Sequence, residues 1–271
     1  MTALDLAREY CKPCSGITKP LSAEEIAGLR PGISSDWRVV RDGRALERDL
    51  KLDDFLDAMS FLNEVAVASE AEDHHPDFEL TAWNRVKIIQ LTYVINALSR
   101  NDFVIAAKID EILATRAAKR AAVVAALDAK KAVAQRFHAE VLAAGRVTTL
   151  DDLLGATFVE HAQGGGATGG RAELEQSLAA RRAAFPDARH EAHHVVGEDE
   201  RIAMRGSWSG SHRGPFLGLA PTGRTVTVGE HHLFRIVDGK IVEHWSELDG
   251  EGLMRQLGRA PAAPMLSGAG D

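Results

Sequence analysis

Two adjacent histidines followed by a proline, His74, His75 and Pro76, are the side chains of this chain best suited to acid–base chemistry. An unperturbed imidazole titrates at about pH 6.5, so one ring can carry a proton while its neighbour lacks one near neutrality. Pro76 favours an extended backbone at His75, and successive extended residues point their side chains to opposite faces. We therefore expect one imidazole to lie in a pocket and the other at its rim, although a solvated turn is the commoner setting for such a pair.

Residues spaced around this pair resemble the motif of the pterin-4a-carbinolamine dehydratase family. Glu70 precedes the pair, Trp83 stands at the family's aromatic position, and Asp102 closes the pattern. The stretches HPDFELTAWNRVKI and NDFVIAAKIDEI and the opening CKPCSGITKPL are similar to the plant and bacterial branch of that family. The resemblance covers residues 1–112.

The resemblance implies a lyase that removes water from a 4a-hydroxytetrahydropterin. In this interpretation His74 and His75 transfer protons between N5 and the departing 4a-hydroxyl, and Trp83 shapes the pterin pocket. The pterin is then the substrate, and no cofactor is tightly bound. The residues expected to bind the pterin are Glu70, Asp73, Pro76, Trp83, Tyr93 and Asp102.

One position departs from the family motif, because Tyr93 stands where the family has a third active-site histidine. A phenol with a pKa of about 10 donates a hydrogen bond but is a poor base near neutrality. The tyrosine at this position puts catalytic turnover in question, but it does not exclude pterin binding. A catalytically impaired binding or assembly protein is therefore the alternative hypothesis.

Length and charge limit the classes of function. A chain of 271 residues predicts two domains of ordinary size. The net charge of −7 argues against nucleic acid as a partner, because the sequence supplies no basic surface that could bind a phosphate backbone. We also expect a cytoplasmic homo-oligomer without a membrane span, since neither a long apolar run nor a signal pattern is present.

The two cysteines, Cys11 and Cys14, form a single CxxC motif. One such motif cannot supply the four ligands of a structural zinc site. Pro13 and Gly16 favour a loop over the strand–helix setting of a redox motif. The sequence therefore predicts a structural loop here and no metal centre.

The elements that must position the histidines follow an α+β pattern. Ser22 and Glu25 form a capping box for a short helix over 22–30, and Asp42-Gly43 predicts a type I′ hairpin turn. Apolar spacing predicts a helix over 53–69, which delivers Glu70 and the histidines to the sheet. Strands are expected at 78–80 and 86–91, giving an N-terminal antiparallel sheet with helices on one face. A helix from 101–102 continues into a helical connector over 113–131.

Residues 132–259 have a different pattern and predict a second domain. Two short helices separated by Gly145 are expected over 132–154, followed by a flexible glycine-rich loop at 164–170. A helix from Arg171 to about Phe185 then leads into strands near 190–196, 201–209, 224–236 and 240–247. One helix followed by long antiparallel strands predicts a cone-shaped α+β half-barrel. Residues 260–271 are expected to form a disordered tail.

Strand alternation places Glu230, His232 and Phe234 on one face, and His244 and Ser246 on one face of the next strand. The segment resembles the SnoaL-like polyketide cyclase branch of the nuclear transport factor 2-like superfamily, most strongly at FRIVDGKIVEHW. The resemblance implies a pocket for a hydrophobic ligand, with Ser246 at the position of the family's catalytic carboxylate. Chemistry in this pocket, as cyclase, isomerase or hydrolase, is a third hypothesis, with Asp249 or Glu230 as substitute carboxylates. The residues expected to line it are Phe158, Trp208, His232, Phe234, His244, Ser246 and Asp249.

Overall fold

The computed structural model describes residues 5–13, 18–161 and 168–259. The chain divides into two compact units, Met1–Ala121 and Ala122–Asp271. The division falls inside the segment predicted as a connector. Cys14, residues 164–167 of the glycine-rich loop and the tail over 260–271 lie outside the described residues. Among the described residues, no helix combines the length and apolar character that crossing a bilayer requires.

The first unit contains a four-stranded antiparallel sheet of order β1-β2-β4-β3. Its strands are β1 Arg38–Val40, β2 Ala45–Lys51, β3 Asp77–Thr81 and β4 Arg85–Gln90. Its α-helices are α1 Ala23–Leu29, α2 Phe55–Ala71 and the start of α3 Arg100–Arg136, and 3-10 turns lie at Leu6–Arg8, Arg30–Gly32 and Tyr93–Ile95. The predicted helices and hairpins of this unit are therefore present.

Local signals explain most of these boundaries. Ser22 and Glu25 form the predicted capping box of α1, and the Asp54 side chain accepts a hydrogen bond from the Asp57 N–H at the start of α2. The β1–β2 connection is longer than a two-residue type I′ turn, because residues 41–44 separate the paired residues Val40 and Ala45. Arg41, Asp42 and Gly43 all have positive φ angles. Asp-Gly thus marked the hairpin correctly but not its loop length.

One face of the sheet packs against the helices. Leu46, Val86 and Ile88 from the strands share a buried core with Phe61 of α2 and Phe103 of α3. Alternation along the strands sends Ala45, Ile89 and Leu91 into a separate small cluster. The helix-facing side therefore holds the main core of this unit.

The second unit is built on a six-stranded sheet of order β6-β5-β10-β9-β8-β7. Its strands are β5 Leu154–His161, β6 Thr168–Gly169, β7 Arg189–Glu198, β8 Arg201–Ser211, β9 Thr225–Val237 and β10 Lys240–Leu248. The helices are α4 Leu150–Leu153, α5 Arg171–Ala184 and α6 Gly250–Gln256, with a π-helical segment Phe137–Ala143 after α3 and a 3-10 turn at Val147–Thr149. The sheet is not closed, as expected of a half-barrel.

Two features of this unit were not predicted from the sequence. Strand β5 pairs in parallel with β10, about eighty positions later, and occupies residues between the predicted helices and the predicted loop. This pairing is long-range, which local periodicity cannot show. Thr168–Gly169 adds a short strand, paired with the end of β5, inside the segment predicted as a loop. The four strands β7 to β10 agree with the prediction.

Candidate functional sites

His74 lies in a buried network at the end of α2. Its Nε2 is 3.0 Å from Oδ1 of Asp102, and the two side chains are 5% and 0% exposed. The other carboxylate oxygen of Asp102 accepts hydrogen bonds from the Thr92 hydroxyl at 2.7 Å and from the Ser99 N–H at 2.7 Å. A carboxylate only accepts, so we assign the shared proton to Nε2 of His74. The network therefore fixes the ring and its tautomer.

Asp102 also caps helix α3. The sequence Ser99-Arg100-Asn101-Asp102 places an acidic side chain three residues after a serine, and the Ser99 N–H donates to it. Thr92 and Ser99 were missed as supporting residues, although the S-x-x-D spacing is a helix-start signal that could have indicated Ser99. One carboxylate thus joins the start of α3 to the ring of His74.

His75 points the other way, as the extended backbone before Pro76 predicted. Its side chain is 55% exposed, and its Nε2 is 2.9 Å from Oε2 of Glu70, which is 82% exposed. Of the two imidazoles, His75 is therefore the one that a dissolved ligand can reach.

Tyr93 lies near this histidine pair because β4 runs antiparallel to β3. Its hydroxyl donates a short hydrogen bond to Asp77, two positions after His75. This bond raises the pKa of the Tyr93 phenol. The phenol is therefore a hydrogen-bond donor near neutrality, and Asp77 is a neighbour that the motif did not indicate.

Trp83 lies in the turn between β3 and β4, and its side chain is 60% exposed. Strand β3 lies between Trp83 and His75 in the chain. The expectation that Trp83 shapes the pterin pocket stays a prediction. Asp73 has a φ of 50° in the turn that ends α2, where it is exposed, and Pro76 is half-buried.

The second unit contains a buried chain of polar side chains on the inner face of its sheet. His232 of β9 contacts His244 of β10, with Nδ1 and Nε2 3.0 Å apart, as strand alternation predicted. Nδ1 of His244 lies 2.7 Å from Oε2 of Glu160 on β5. Glu160 was missed because its strand was not predicted.

Glu230 lies two residues before His232 on the same face, and its carboxylate lies close to four other side chains. Its Oε1 is 2.9 Å from Nδ1 of His190 and 3.8 Å from Nε2 of His138. Its Oε2 is 3.5 Å from Nε2 of His232 and 3.9 Å from the guanidinium of Arg181. Neither His138 nor His190 was indicated by a local motif.

Burial and charge act in opposite directions on these groups. Burial alone would raise the pKa of Glu230, but the imidazoles of His190 and His232 outweigh it and hold the pKa well below its usual range. Burial lowers the pKa of His232 to about 4, and it also lowers the pKa of His138. Near neutrality Glu230 is therefore an ionised carboxylate, and the lowered pKa values of His138 and His232 favour their neutral forms.

A cavity of about 190 Å³ reaches this polar cluster from the helical side. His190 and Arg181 belong to its wall, and most of the remaining wall is apolar. The other lining residues are Val141, Leu142, Gly145, Val147, Leu178, Ala179, Arg182 and Ala188.

None of the seven residues predicted for the second pocket lines this cavity. Phe158 and Phe234 belong to one core cluster, whereas Trp208 belongs to another and packs on Phe185. Ser246 stands opposite His232 in the β9–β10 register and is half-buried. Asp249 accepts a hydrogen bond from the Gly252 N–H and so caps α6. Of the two carboxylates expected to substitute for the one that Ser246 replaces, only Glu230 lies in the buried polar chain.

Comparison with known proteins divides the chain in the same way. Residues 19–112 match the family model of pterin 4 alpha carbinolamine dehydratase, and residues 132–257 match that of SnoaL-like polyketide cyclase. A "Putative pterin-4-alpha-carbinolamine dehydratase" of Legionella pneumophila (strain Corby) is 37% identical over 109 residues, which are 40% of this chain and 96% of the relative. One of the same name from Alkaliphilus metalliredigens is 42% identical over 107 residues, 40% of this chain and 95% of the relative.

Solved structures similar to this chain include AclR, titled a putative hydroxylase, from Streptomyces galilaeus. It is 26% identical, covers 51% of this chain and 87% of its own, and gives a TM-score of 0.46.

Proposed function

Because the chain belongs to the pterin-4a-carbinolamine dehydratase family through residues 19–112, we propose that its first unit is a hydro-lyase acting on a 4a-hydroxytetrahydropterin. The observation that carries the proposal is the different environment of the two histidines. The buried His74–Asp102 pair holds the turn rigid, while the His75–Glu70 pair is open to solvent.

The reaction requires two proton transfers. The bond between C4a and the hydroxyl oxygen breaks, the oxygen leaves as water after gaining a proton, and N5 loses its proton as the C4a=N5 double bond forms. His75 is suited to both transfers, since an imidazole titrates near neutrality and Glu70 orients its ring. His74 acts as a positioning residue, because its reachable surface is only 5% and its Nε2 faces Asp102.

Tyr93 supplies a hydrogen-bond donor rather than a base in this scheme. Its phenol, with a raised pKa, stays protonated near neutrality and is held by Asp77. A catalyst with one exposed imidazole is expected to be slower than one with two. Activity is therefore expected to be weak but measurable above spontaneous dehydration.

The test uses the full chain and chemically generated 4a-hydroxytetrahydropterin, with dehydration followed by ultraviolet absorbance. We expect His75→Ala to lower the enzymatic rate about 10²–10⁴-fold, the usual contribution of a general acid or base. The matched control is His194→Ala, at an exposed histidine of the second unit. A wild-type rate equal to the spontaneous rate would refute the proposal.

Tyr93→His tests the position at which the chain departs from the family motif. We expect the variant to exceed the wild-type rate, because an imidazole restores a group that titrates near neutrality. An unchanged rate in a folded variant would mean that this position takes no part in proton transfer.

For the second unit we propose binding of a small, mostly apolar ligand that carries a negative charge. The supporting observation is the cavity, whose apolar wall includes Leu178 and whose polar wall includes Arg181 and Arg182. Anilinonaphthalene sulfonate is a probe with both properties. We expect saturable probe fluorescence with the full chain, lost in Leu178→Trp and kept in the exposed control Val196→Trp. Equal fluorescence in the two variants would refute this proposal.

A further inference from the structure

We propose that His138, His190 and Glu230 bind a divalent first-row transition-metal ion. One ligand atom from each residue lies within 4.8 Å of those of the other two. This inference goes beyond both proposed functions, and it departs from the expectation, drawn from the cysteines, that the chain has no metal centre.

Three separate elements bring the ligands together. His138 is the second residue of the π-helical segment, His190 is on β7 and Glu230 is on β9. A π-helical turn is wider than an α-helical one and is frequently found at functional sites. The three side chains are 7%, 4% and 2% exposed, so the cluster is held inside the unit rather than on its surface.

Two residues of the cluster carry buried polar atoms without partners. Within the described part of the chain, His138 Nε2, Glu230 Oε2 and His232 Nε2 are buried and have no hydrogen-bond partner. Leaving buried polar atoms without partners costs about 1–3 kcal/mol each, and more for an ionised group. A cation coordinated by His138 Nε2 and by Oε1 of Glu230, the carboxylate oxygen 3.8 Å from it, removes this cost at His138.

The neighbouring polar chain is connected least closely at its Glu230 end. The gaps from Glu160 to His244, from His244 to His232 and from His232 to Glu230 measure 2.7, 3.0 and 3.5 Å. The longest of the three gaps adjoins Glu230 and exceeds the usual hydrogen-bond distance.

The observed spacings are close to those of a coordinated ion. Metal–ligand bonds of about 2.0–2.2 Å place neighbouring ligand atoms about 3.0–3.5 Å apart. His190 and Glu230 are already 2.9 Å apart, and His138 lies 3.8 Å from the same carboxylate oxygen. Closer approach of the His138 ring completes the triad.

Two imidazoles and one carboxylate select zinc or iron(II) rather than magnesium or calcium, which prefer oxygen ligands. Three protein ligands leave coordination positions open, as in catalytic rather than structural sites. Because His190 also lines the cavity, an open position can face a ligand bound there.

The test is metal binding by the full chain after treatment with a chelator, using zinc in calorimetric titration and cobalt(II) in visible absorption spectroscopy. We expect one zinc ion per chain at this site and cobalt ligand-field bands without the strong near-ultraviolet thiolate band that Cys11 or Cys14 would produce. Glu230→Gln and His138→Asn are each expected to weaken binding at least about 10-fold to 100-fold. His194→Ala, at an exposed histidine, is the matched control and should leave affinity unchanged.

Far-UV circular dichroism and melting temperature show whether each variant is folded. If Glu230→Gln does not fold, the zinc affinity of His138→Asn is compared with that of the wild type instead. If neither variant folds, the number of zinc ions bound by the wild type tests the proposal. Absence of stoichiometric binding by the wild type overturns the proposal. So do affinities that are equal in the wild type and in a folded ligand variant, or a cobalt spectrum showing thiolate ligation alone.

Discussion

Replacing Asp102 by asparagine tests the buried network that holds the His74 turn. Asp102 is fully buried and accepts from Thr92, Ser99 and His74 at 2.7–3.0 Å. An asparagine can accept on the side of Thr92 and Ser99, but its amide then points N–H groups at the protonated Nε2 of His74. Loss of charge assistance at the retained bonds and a donor–donor contact at His74 together cost about 3–5 kcal/mol.

Hydrogen–deuterium exchange measured on the full chain reports this loss for the first unit alone. Peptides covering α2 and β4 should exchange on the order of 10²-fold faster or more in Asp102→Asn, because about 1.4 kcal/mol corresponds to a factor of ten. The matched control is Asp49→Asn, which breaks an ion pair between half-exposed side chains of Asp49 and Arg38. Such a pair contributes about 0–1 kcal/mol. If the two variants exchange at similar rates, the buried network does not stabilise the unit as argued.

Two further predictions concern single positions. Because the hydrogen bond to Asp77 raises the pKa of Tyr93, the phenol should ionise above pH 10, and Asp77→Asn should lower this midpoint. Ultraviolet difference titration of the wild type against Tyr93→Phe measures the Tyr93 midpoint. The same midpoint in the wild type and in Asp77→Asn would contradict the hydrogen bond between Tyr93 and Asp77. Gly206→Ala should destabilise the second unit by about 1–3 kcal/mol, because a Cβ there would lie 2.6 Å from the backbone oxygen of Glu191. Gly229→Ala, where a Cβ meets nothing within 4 Å, is the control, and equal melting temperatures would refute the steric argument.

Local sequence signals were sufficient for the main helices of the first unit and for the orientation of its two histidines. The capping box at Ser22, the apolar spacing of α2 and the Pro76 constraint each act within a few residues, and they predicted the helix start, the helix and the opposite orientations of His74 and His75. In the second unit, alternation along β9 and β10 was likewise enough to bring His232 and His244 together, because side-chain direction in a strand has a period of two.

Only the tertiary structure decided which distant residues share a site. The hydrogen bond between Tyr93 and Asp77 joins the segment after β4 to the start of β3. Strand β5 adds Glu160 by pairing with a strand far along the chain, and the π-helical segment brings His138 beside Glu230. The sequence alone determines local conformation and the face on which a side chain lies. The pairing of strands and the packing of helices depend on contacts between residues far apart in the chain, which no local pattern records.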